Sequence, residues 1–338
     1  MPTPRVAVVT DSTCAVPPAL ARDAGLHVVP LDVSIDGAWY AEGVDVTPDQ
    51  LLRALERGAK VTTSQPPPSA FAAAYERAAA AGAHEIVSVH LSGEMSGTVR
   101  SARTAATVSP VPVRVVDSRT AALGLGFAAL AAARYAATPL DPAPGDPADV
   151  EDGVGGAVRR WVTRAVHRGA AAPVWPDAAQ VAGVAAAAAE SSRVWFLVDS
   201  LEHLRRGGRL GTAAAALGTV LGLRPILAVQ DGRLVVGEKV RTRRAARERL
   251  EQLALAELAD RPSARVAVHH VGPPDVAAEL AAHLAAATGV RPADVLVADA
   301  GAVLAAHVGP GLLAVVVADG EPAAPAPHDD EAAAPGRR

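Results

Sequence analysis

Short apolar runs punctuate the first half of the chain, and segments of helical spacing lie between them. Residues 6–9, 27–35, 85–89 and 113–116 read as strands, the second turning at Asp36-Gly37. Helices are predicted over 17–24, 48–57, 69–81, 97–108 and 121–137. Thr47 marks one entry, a good N-cap with Pro48 just inside. Short buried strands alternating with helices predict an α/β domain with a mostly parallel sheet.

The pattern then breaks. Residues 138–156 hold Pro139, Pro142, Pro144 and Pro147 among Asp and Gly, which reads as a loop or linker. Beyond it, helices are predicted over 176–190, 201–206, 212–221, 243–259 and 274–287. Strands are predicted over 194–198, 225–229, 233–236, 265–269, 295–298 and 312–317. Asp231-Gly232 between two of these strands is a hairpin signal, so the second sheet is mixed. The expected organisation is an N-terminal α/β domain over 1–150, a C-terminal α/β domain over 157–319 and a disordered tail over 320–338. No internal repeat is evident.

Half of the 338 residues are apolar and a fifth are charged, which allows a sizeable core. The net charge of −4 and only ten aromatic residues argue against nucleic acid as a partner. Cys14 is the single cysteine, so neither an internal disulfide nor a Cys-rich zinc site can form. That suits a reducing compartment. The N-terminus lacks a signal-peptide layout, and no apolar run reaches the ~20 residues of a membrane span. The reading is a cytoplasmic protein without stable membrane insertion.

Three loops of the first half are rich in small hydroxyl residues. They are Thr10-Asp11-Ser12-Thr13, Thr62-Thr63-Ser64-Gln65-Pro66, and Leu91-Ser92-Gly93-Glu94-Met95-Ser96-Gly97-Thr98. In parallel α/β sheets, ligands sit beyond the carboxyl ends of strands. Hydroxyls and Gly-flanked amides at helix starts there form an anion site. The last two loops contain no Lys or Arg, which suits one carboxylate better than a triphosphate. Each loop alone could equally be a set of helix caps.

The order and content of these motifs resemble the DegV family. The resembling segments are Val6–Thr13, Tyr40-Ala41-Glu42-Gly43-Val44-Asp45, the Thr-Ser-Gln-Pro loop and the Ser-Gly loop. In the second half they are Ser200-Leu201-Glu202-His203-Leu204-Arg205-Arg206-Gly207-Gly208-Arg209, Arg224-Pro225-Ile226-Leu227, Glu238-Lys239-Val240-Arg241-Thr242 and His307-Val308-Gly309-Pro310-Gly311. The resemblance implies a two-domain DegV-like (EDD) fold that holds a long-chain fatty acid such as palmitate, between the domains or inside the first. It further implies presentation of the carboxylate to a separate ATP-dependent fatty acid kinase subunit, which makes an acyl-phosphate for phospholipid metabolism. The chain itself would then be no enzyme and need no cofactor.

Carried over by motif, the carboxylate ligands are Thr63 or Thr62, and Ser96 or Ser92, with Thr63 and Ser96 favoured. Gly97, Ser64 and Ser12 flank them, and Asp11 is expected to order the site. A histidine at 269 or 270 also approaches the carboxylate in some relatives; His270 is favoured because it ends its strand. His307 is expected to shape the site or stabilise a turn. Arg209 is expected to face the carboxylate or an incoming phosphate, or to dock the two domains; Arg241 carries the same ambiguity.

A different class of function uses the same loops. A hydrolase or transferase would employ the hydroxyls as an oxyanion site, but no Gly-x-Ser-x-Gly elbow is present. Nor is there a Walker-type phosphate loop. Gly124-Leu125-Gly126-Phe127-Ala128-Ala129 fits a loose dinucleotide fingerprint, but small residues for tight helix packing explain it better. No two histidines stand four apart, so no metal is expected. Cys14 reads as a small buried hydrophobe. The basic run from Lys239 to Arg249 is interrupted by Glu248 and reads as a solvated helix start, the alternative being a docking surface for a kinase subunit.

Overall fold

The computed structural model describes residues 5–140, 173–211, 223–261, 263–289 and 294–320. The expected helix over 212–221, most of the linker and the tail beyond 320 lie outside the described residues.

The first sheet is parallel, in the order β2 (His27–Val29), β1 (Val6–Asp11), β6 (Glu85–His90), β7 (Val113–Asp117). All six residues of β1 are buried, as in a strand covered on both faces. One face packs Ala7, Val9 and Ile86 against α3 (Pro68–Ala80) and α4 (Thr98–Ala106). The other packs Val6, Val8, Val87 and Val89 against α5 (Leu123–Ala136) and α6 (Ala178–Ser191). The sequence assigned α6 to the second domain, yet by packing it belongs to the first sheet. Its small residues lie against Ala128, Ala132 and Ala136 of α5. Two glycines of the dinucleotide-like fingerprint lie in α5. A Cβ at Gly124 would meet the Thr120 hydroxyl at 2.5 Å, and one at Gly126 the Cys14 carbonyl at 2.6 Å. These glycines permit close packing.

The expected single strand over 27–35 is two strands in two sheets. After β2 the chain passes Leu31 and enters β3 (Asp32–Ile35), the centre of a small antiparallel sheet ordered β4 (Ala38–Ala41), β3, β5 (Val61–Ser64). Asp36 and Gly37 join β3 to β4 with φ of 52° and 92°, the pair of positive values that a type I′ hairpin needs. The Thr-Thr-Ser segment, expected in a loop, is strand β5. The helix α2 (Pro48–Glu56) starts at the expected Thr47 cap, a full capping box with Gln50.

The second sheet has the order β10 (Arg233–Val240), β9 (Arg224–Gln230), β8 (Arg193–Leu197), β13 (Leu313–Ala318), β11 (Arg265–His270), β12 (Val295–Asp299). It is mixed: β11 pairs with β12 in parallel, and the other pairings are antiparallel. Asp231 and Gly232 turn the β9–β10 hairpin with φ of 52° and 77°. One sheet face is covered by α8 (Arg243–Ala259) and α9 (Asp275–Thr288). The opposite face meets the first domain: Val194, Ala267 and Val316 pack on Leu123, Phe127 and Leu130 of α5. Two short helices complete this interface, α7 (Glu202–Arg206) and α10 (Ala302–Val308). The pattern of apolar positions did not predict α10. Among the described residues, no helix is long and apolar enough to cross a membrane.

Candidate functional site

A cavity of about 410 Å³ lies between the domains, within the size range of small-molecule sites. The first domain contributes Leu31, Leu91, Met95, Ala121 and Ala122. The second contributes Val194, Phe196 and Ala314 from its sheet, Val229 and Leu234 from the hairpin, and Val303, Leu304 and Val308 from α10. The polar lining is Thr63, Ser64, Gln65, Ser96, Arg209, His307 and His269. All but His269 derive from the two hydroxyl loops, the segment after α7 and the end of α10.

Strand parity places Thr62 and Thr63 differently with respect to the cavity. In β5, Thr63 pairs with the buried Val33, and Thr62 pairs with Ser34 on the opposite face. Thr63 therefore faces the second domain and lines the cavity. Thr62 is exposed and lines only a neighbouring surface trough, whose walls include Lys60, His203 and Arg206. Thr63, Arg209 and His307 line both spaces. The polar end of the cavity thus adjoins the surface.

The Thr63 hydroxyl lies 2.8 Å from His307 Nε2. Burial, reinforced by the nearby Arg209 charge, pushes the His307 pKa down to about 4, so the ring is neutral near pH 7. Its Nδ1 is buried without a partner. A bare acceptor nitrogen is less costly to bury than an N–H without an acceptor, which favours Nε2–H donating to Thr63 Oγ1. The Thr63 O–H is then free to donate into the cavity. Gly207 allows this placement, because a Cβ there would collide with His307 Nδ1.

Ser96 lines the cavity, its hydroxyl 2.9 Å from that of Thr98. Ser92, the other choice in this loop, is fully buried and faces elsewhere. Its hydroxyl donates to the Gly232 carbonyl at 2.6 Å, tying the loop to the β9–β10 turn. Gly97 allows Gln65 to lie against the loop, since a Cβ at 97 would overlap the Gln65 amide. Ser64 lines the cavity and donates to the Gln65 carbonyl at 3.1 Å. Arg209 is exposed; its Nε donates to the Met95 carbonyl at 3.2 Å and its Nη1 to the Gly207 carbonyl at 2.6 Å. It lines the cavity, and its bond to Met95 joins the segment after α7 to the first domain. Arg241 is exposed and lies away from the cavity.

Of the two histidines, the favoured His270 does not line the cavity. Alternation along β11 sends the two rings to opposite faces, and His269 is the one that lines the cavity. His269 accepts the Leu123 amide at 3.0 Å through Nε2 and donates from Nδ1 to the Ala298 carbonyl at 3.1 Å. Complete burial pushes its pKa down to about 4. His270 instead donates to the Gly272 carbonyl at 2.7 Å.

Asp11 and Ser12 do not line the cavity. The Ser12 hydroxyl accepts the Leu31 amide at 2.9 Å, holding the link from β2 to β3. Asp11 accepts the Leu91 amide at 3.1 Å, fixing the start of the Ser-Gly loop. It also accepts from His90 Nδ1 at 2.9 Å, while His90 Nε2 lies 2.6 Å from the Ser88 hydroxyl. Sequence reasoning missed this Ser-His-Asp constellation; the period-two spacing of Ser88 and His90 on one strand was the available signal. All three are fully buried, and Tyr75 covers Ser88 by donating to it at 2.9 Å. A substrate has no access to this serine, so the constellation is a core network. Cys14 is also buried, its pKa pushed up to about 12 by burial. The described residues contain no cluster of three or more potential metal ligands.

Residues 5–143 and 176–319 match the profile of the DegV family, described as "Uncharacterised protein, DegV family". A DegV domain-containing protein of Streptomyces coelicolor is 41% identical over 313 residues, covering 92% of this chain and 98% of that one. One from Mycobacterium tuberculosis is 39% identical over 318 residues, covering 92% and 96%. Among solved structures, a DegV family protein from Thermus thermophilus described as binding fatty acid superposes with a TM-score of 0.73 at 32% identity, covering 93% of this chain and 99% of that one. DegV of Bacillus subtilis, described as a fatty acid binding protein, gives 0.74 at 27% identity with the same coverage. Profile, full-length relatives and fold agree: the chain belongs to the DegV family.

Proposed function

We propose that this protein binds one long-chain fatty acid in the interdomain cavity and presents its carboxylate, at the surface end, to a separate ATP-dependent fatty acid kinase subunit. The observation that carries the reading is the division of the cavity. Thr63, Ser64, Gln65, Ser96, Arg209 and His307 supply the polar lining beside the trough, and apart from His269 the remaining lining is apolar. A carboxylate withdrawn from water needs several hydrogen bonds to stay charged. The Thr63 and Ser96 hydroxyls and the exposed Arg209 guanidinium offer donors there. Each CH₂ buried in the apolar part contributes ~0.8 kcal/mol, so the tail supplies affinity and the head group supplies position. The fatty-acid-binding description of the Thermus and Bacillus structures supports the same ligand class.

The kinase partner is supported by the family resemblance and by the surface trough that shares Thr63, Arg209 and His307 with the cavity. An acid held there exposes its head group and buries its tail.

A hydrolase or transferase using the same hydroxyls has less support. His307 is the nearest candidate base for Thr63, but no carboxylate orients it and its Nδ1 has no partner.

Native mass spectrometry of the purified chain should show one fatty acid per protein. Incubation with ATP alone should give no acyl-phosphate, and addition of a fatty acid kinase subunit should give it. An empty chain that turns over acyl esters would overturn the reading.

A further inference from the structure

The lipid cavity has two ends. The polar end shares Thr63, Arg209 and His307 with the trough beside Lys60. At another place the cavity shares Val194 and Val229 with a second surface trough of about 770 Å³. The two troughs have no residue in common. The cavity therefore adjoins two separate surface troughs, with Val194 and Val229 between it and the second.

We propose that Val194 and Val229 form the end wall of the acyl cavity and set the length of chain that it accepts. This rests on the fatty-acid reading above. The two residues are neighbours on adjacent strands: Trp195 pairs with Ala228, which puts Val194 opposite Val229 on the same face. Each lines both the cavity and the outer trough, so the two residues stand between the two spaces.

What lies beyond the wall makes it a stop. The outer trough is lined by Asp117, Arg119, Glu190, Arg193 and Asp231, with the Ser118, Thr120 and Ser192 hydroxyls between them. A methyl terminus that passed the valines would enter a charged, wet space and gain no burial. Selectivity then follows from the transfer energy of each methylene. A carbon that fits behind the wall is favoured about fourfold, and one that projects past it is not. Truncating either valine lengthens the dry path, and enlarging Val229 shortens it.

The test uses the full chain, stripped of lipid and reloaded from an equimolar mixture of saturated fatty acids of graded length. Extracted acids are identified by mass spectrometry for wild type, Val194→Ala, Val229→Ala and Val229→Phe. Both alanine variants should shift the bound distribution about two carbons longer, and Val229→Phe should shift it shorter, with occupancy near one acid per chain in each. Circular dichroism and the thermal midpoint check folding, and Val194→Ile provides a milder shortening if the Phe variant misfolds. An unchanged distribution at full occupancy in all folded variants overturns the wall assignment and leaves the fatty-acid reading standing. Wild type that takes up no acid overturns both.

Discussion

The Glu42 carboxylate accepts the Val303 amide at 2.8 Å and so joins the segment after β4 to the first turn of α10. The first domain thereby grips α10 at both ends. Glu42 holds its start, and Thr63 meets His307 in its last turn. Gly301 makes room for the first contact, because a Cβ there would meet Glu42 Oε1 at 2.6 Å. The other oxygen, Oε2, is buried without a partner.

Burial raises the Glu42 pKa above its usual 4.5, with the nearby Asp11 charge adding to the rise, while the Ser12 hydroxyl and the Val303 and Ala302 amides act against it. A carboxyl whose pKa is raised by folding favours the native state most when protonated. Its contribution weakens as pH rises from about 4.5 through the folded value. Glu42→Gln should therefore keep the contact with α10 and reduce the loss of stability on going from mildly acid to neutral pH. Glu42→Ala should lower stability by about 1–3 kcal/mol, since the α10 amides lose a buried acceptor. Urea midpoints of the three proteins across pH 4.5 to 8 check this. Equal slopes for wild type and Glu42→Gln would show that the carboxyl is ionised in both folded and unfolded chains.

Histidines 269 and 307 act with the opposite sign. Both are held neutral by burial with pKa values near 4, against an ordinary 6.5. A buried neutral imidazole stabilises the native state fully above the unfolded value, and that contribution is lost as pH falls from about 6.5 towards 4. The loss per ring is on the order of 3 kcal/mol, at about 1.4 kcal/mol for each pKa unit. Because His269 holds the α5 amide and His307 the Thr63 hydroxyl, the interdomain face should open first. The expected result is an acid transition that exposes the amides of Leu123 and the start of α5 to hydrogen exchange before the first sheet loses protection. His269→Gln should shift that transition to lower pH if the variant folds. A uniform loss of protection at one pH would mean that the rings do not set the order.

The sequence pattern revealed much of this architecture, and where it failed a physical cause is identifiable. Buried runs such as 6–9 and 313–318 are apolar at nearly every position, so their strands were legible. The Asp-Gly turns were legible because few other pairs tolerate two positive φ values. The Leu31 crossing was not, because Val29, Leu31, Val33 and Ile35 continue one alternating apolar pattern through both strands, and Pro30 alone does not tell one sheet from two. Helix α10 escaped notice because Ala and Val fit helix and strand alike, and its ends are fixed by Glu42 and Thr63 far away in sequence. In the site, the loops were legible as hydroxyl clusters, but the inward residue depends on register. Pairing with Val33 selects Thr63, and pairing with Ala314 puts His269 on the inner face. Such partners are long-range facts that no single segment contains. The packing of α6 on the first sheet was not legible for the same reason: an Ala-rich helix carries no mark of which sheet it covers.

If the carboxylate sits where Thr63 and Ser96 converge, single hydroxyl removals should be graded by which way each side chain faces. Thr63→Val keeps the shape of the side chain and removes the donor. A hydrogen bond to a charged group is worth about 1.5–3 kcal/mol, so fatty-acid affinity should fall roughly 10- to 100-fold. Ser96→Ala should fall in the same range, and Thr62→Val should bind as wild type because its side chain is on the solvent side of β5. Fluorescent fatty-acid displacement at constant ionic strength measures all three. Equal losses at Thr62 and Thr63 would place the head group in the outer trough instead.

The hairpin that bears Val229 and Leu234 is held over the cavity by three contacts from the first domain, and they are of unequal worth. Arg119 to Asp231 and Arg233 to Glu94 are exposed ion pairs at 3.5 and 2.7 Å, which contribute about 0–1 kcal/mol each. The Ser92 hydroxyl differs, because it is fully buried, donates to the Gly232 carbonyl at 2.6 Å and accepts the Glu94 amide at 3.2 Å. Removing it leaves the buried Gly232 carbonyl and the part-buried Glu94 amide without their partner, a larger cost than losing either ion pair. A Cβ at Gly232 would stand 2.5 Å from Ser92 Oγ, so the contact also depends on glycine at the turn. Ser92→Ala should therefore speed release of bound acid by about tenfold and raise exchange at the hairpin amides, while Glu94→Gln should change release by less than about threefold. Stopped-flow release kinetics at low and high salt separate the two, since only the ion-pair contribution is screened. A larger effect for Glu94→Gln, lost at high salt, would make the hairpin an electrostatic closure and not a hydrogen-bonded one.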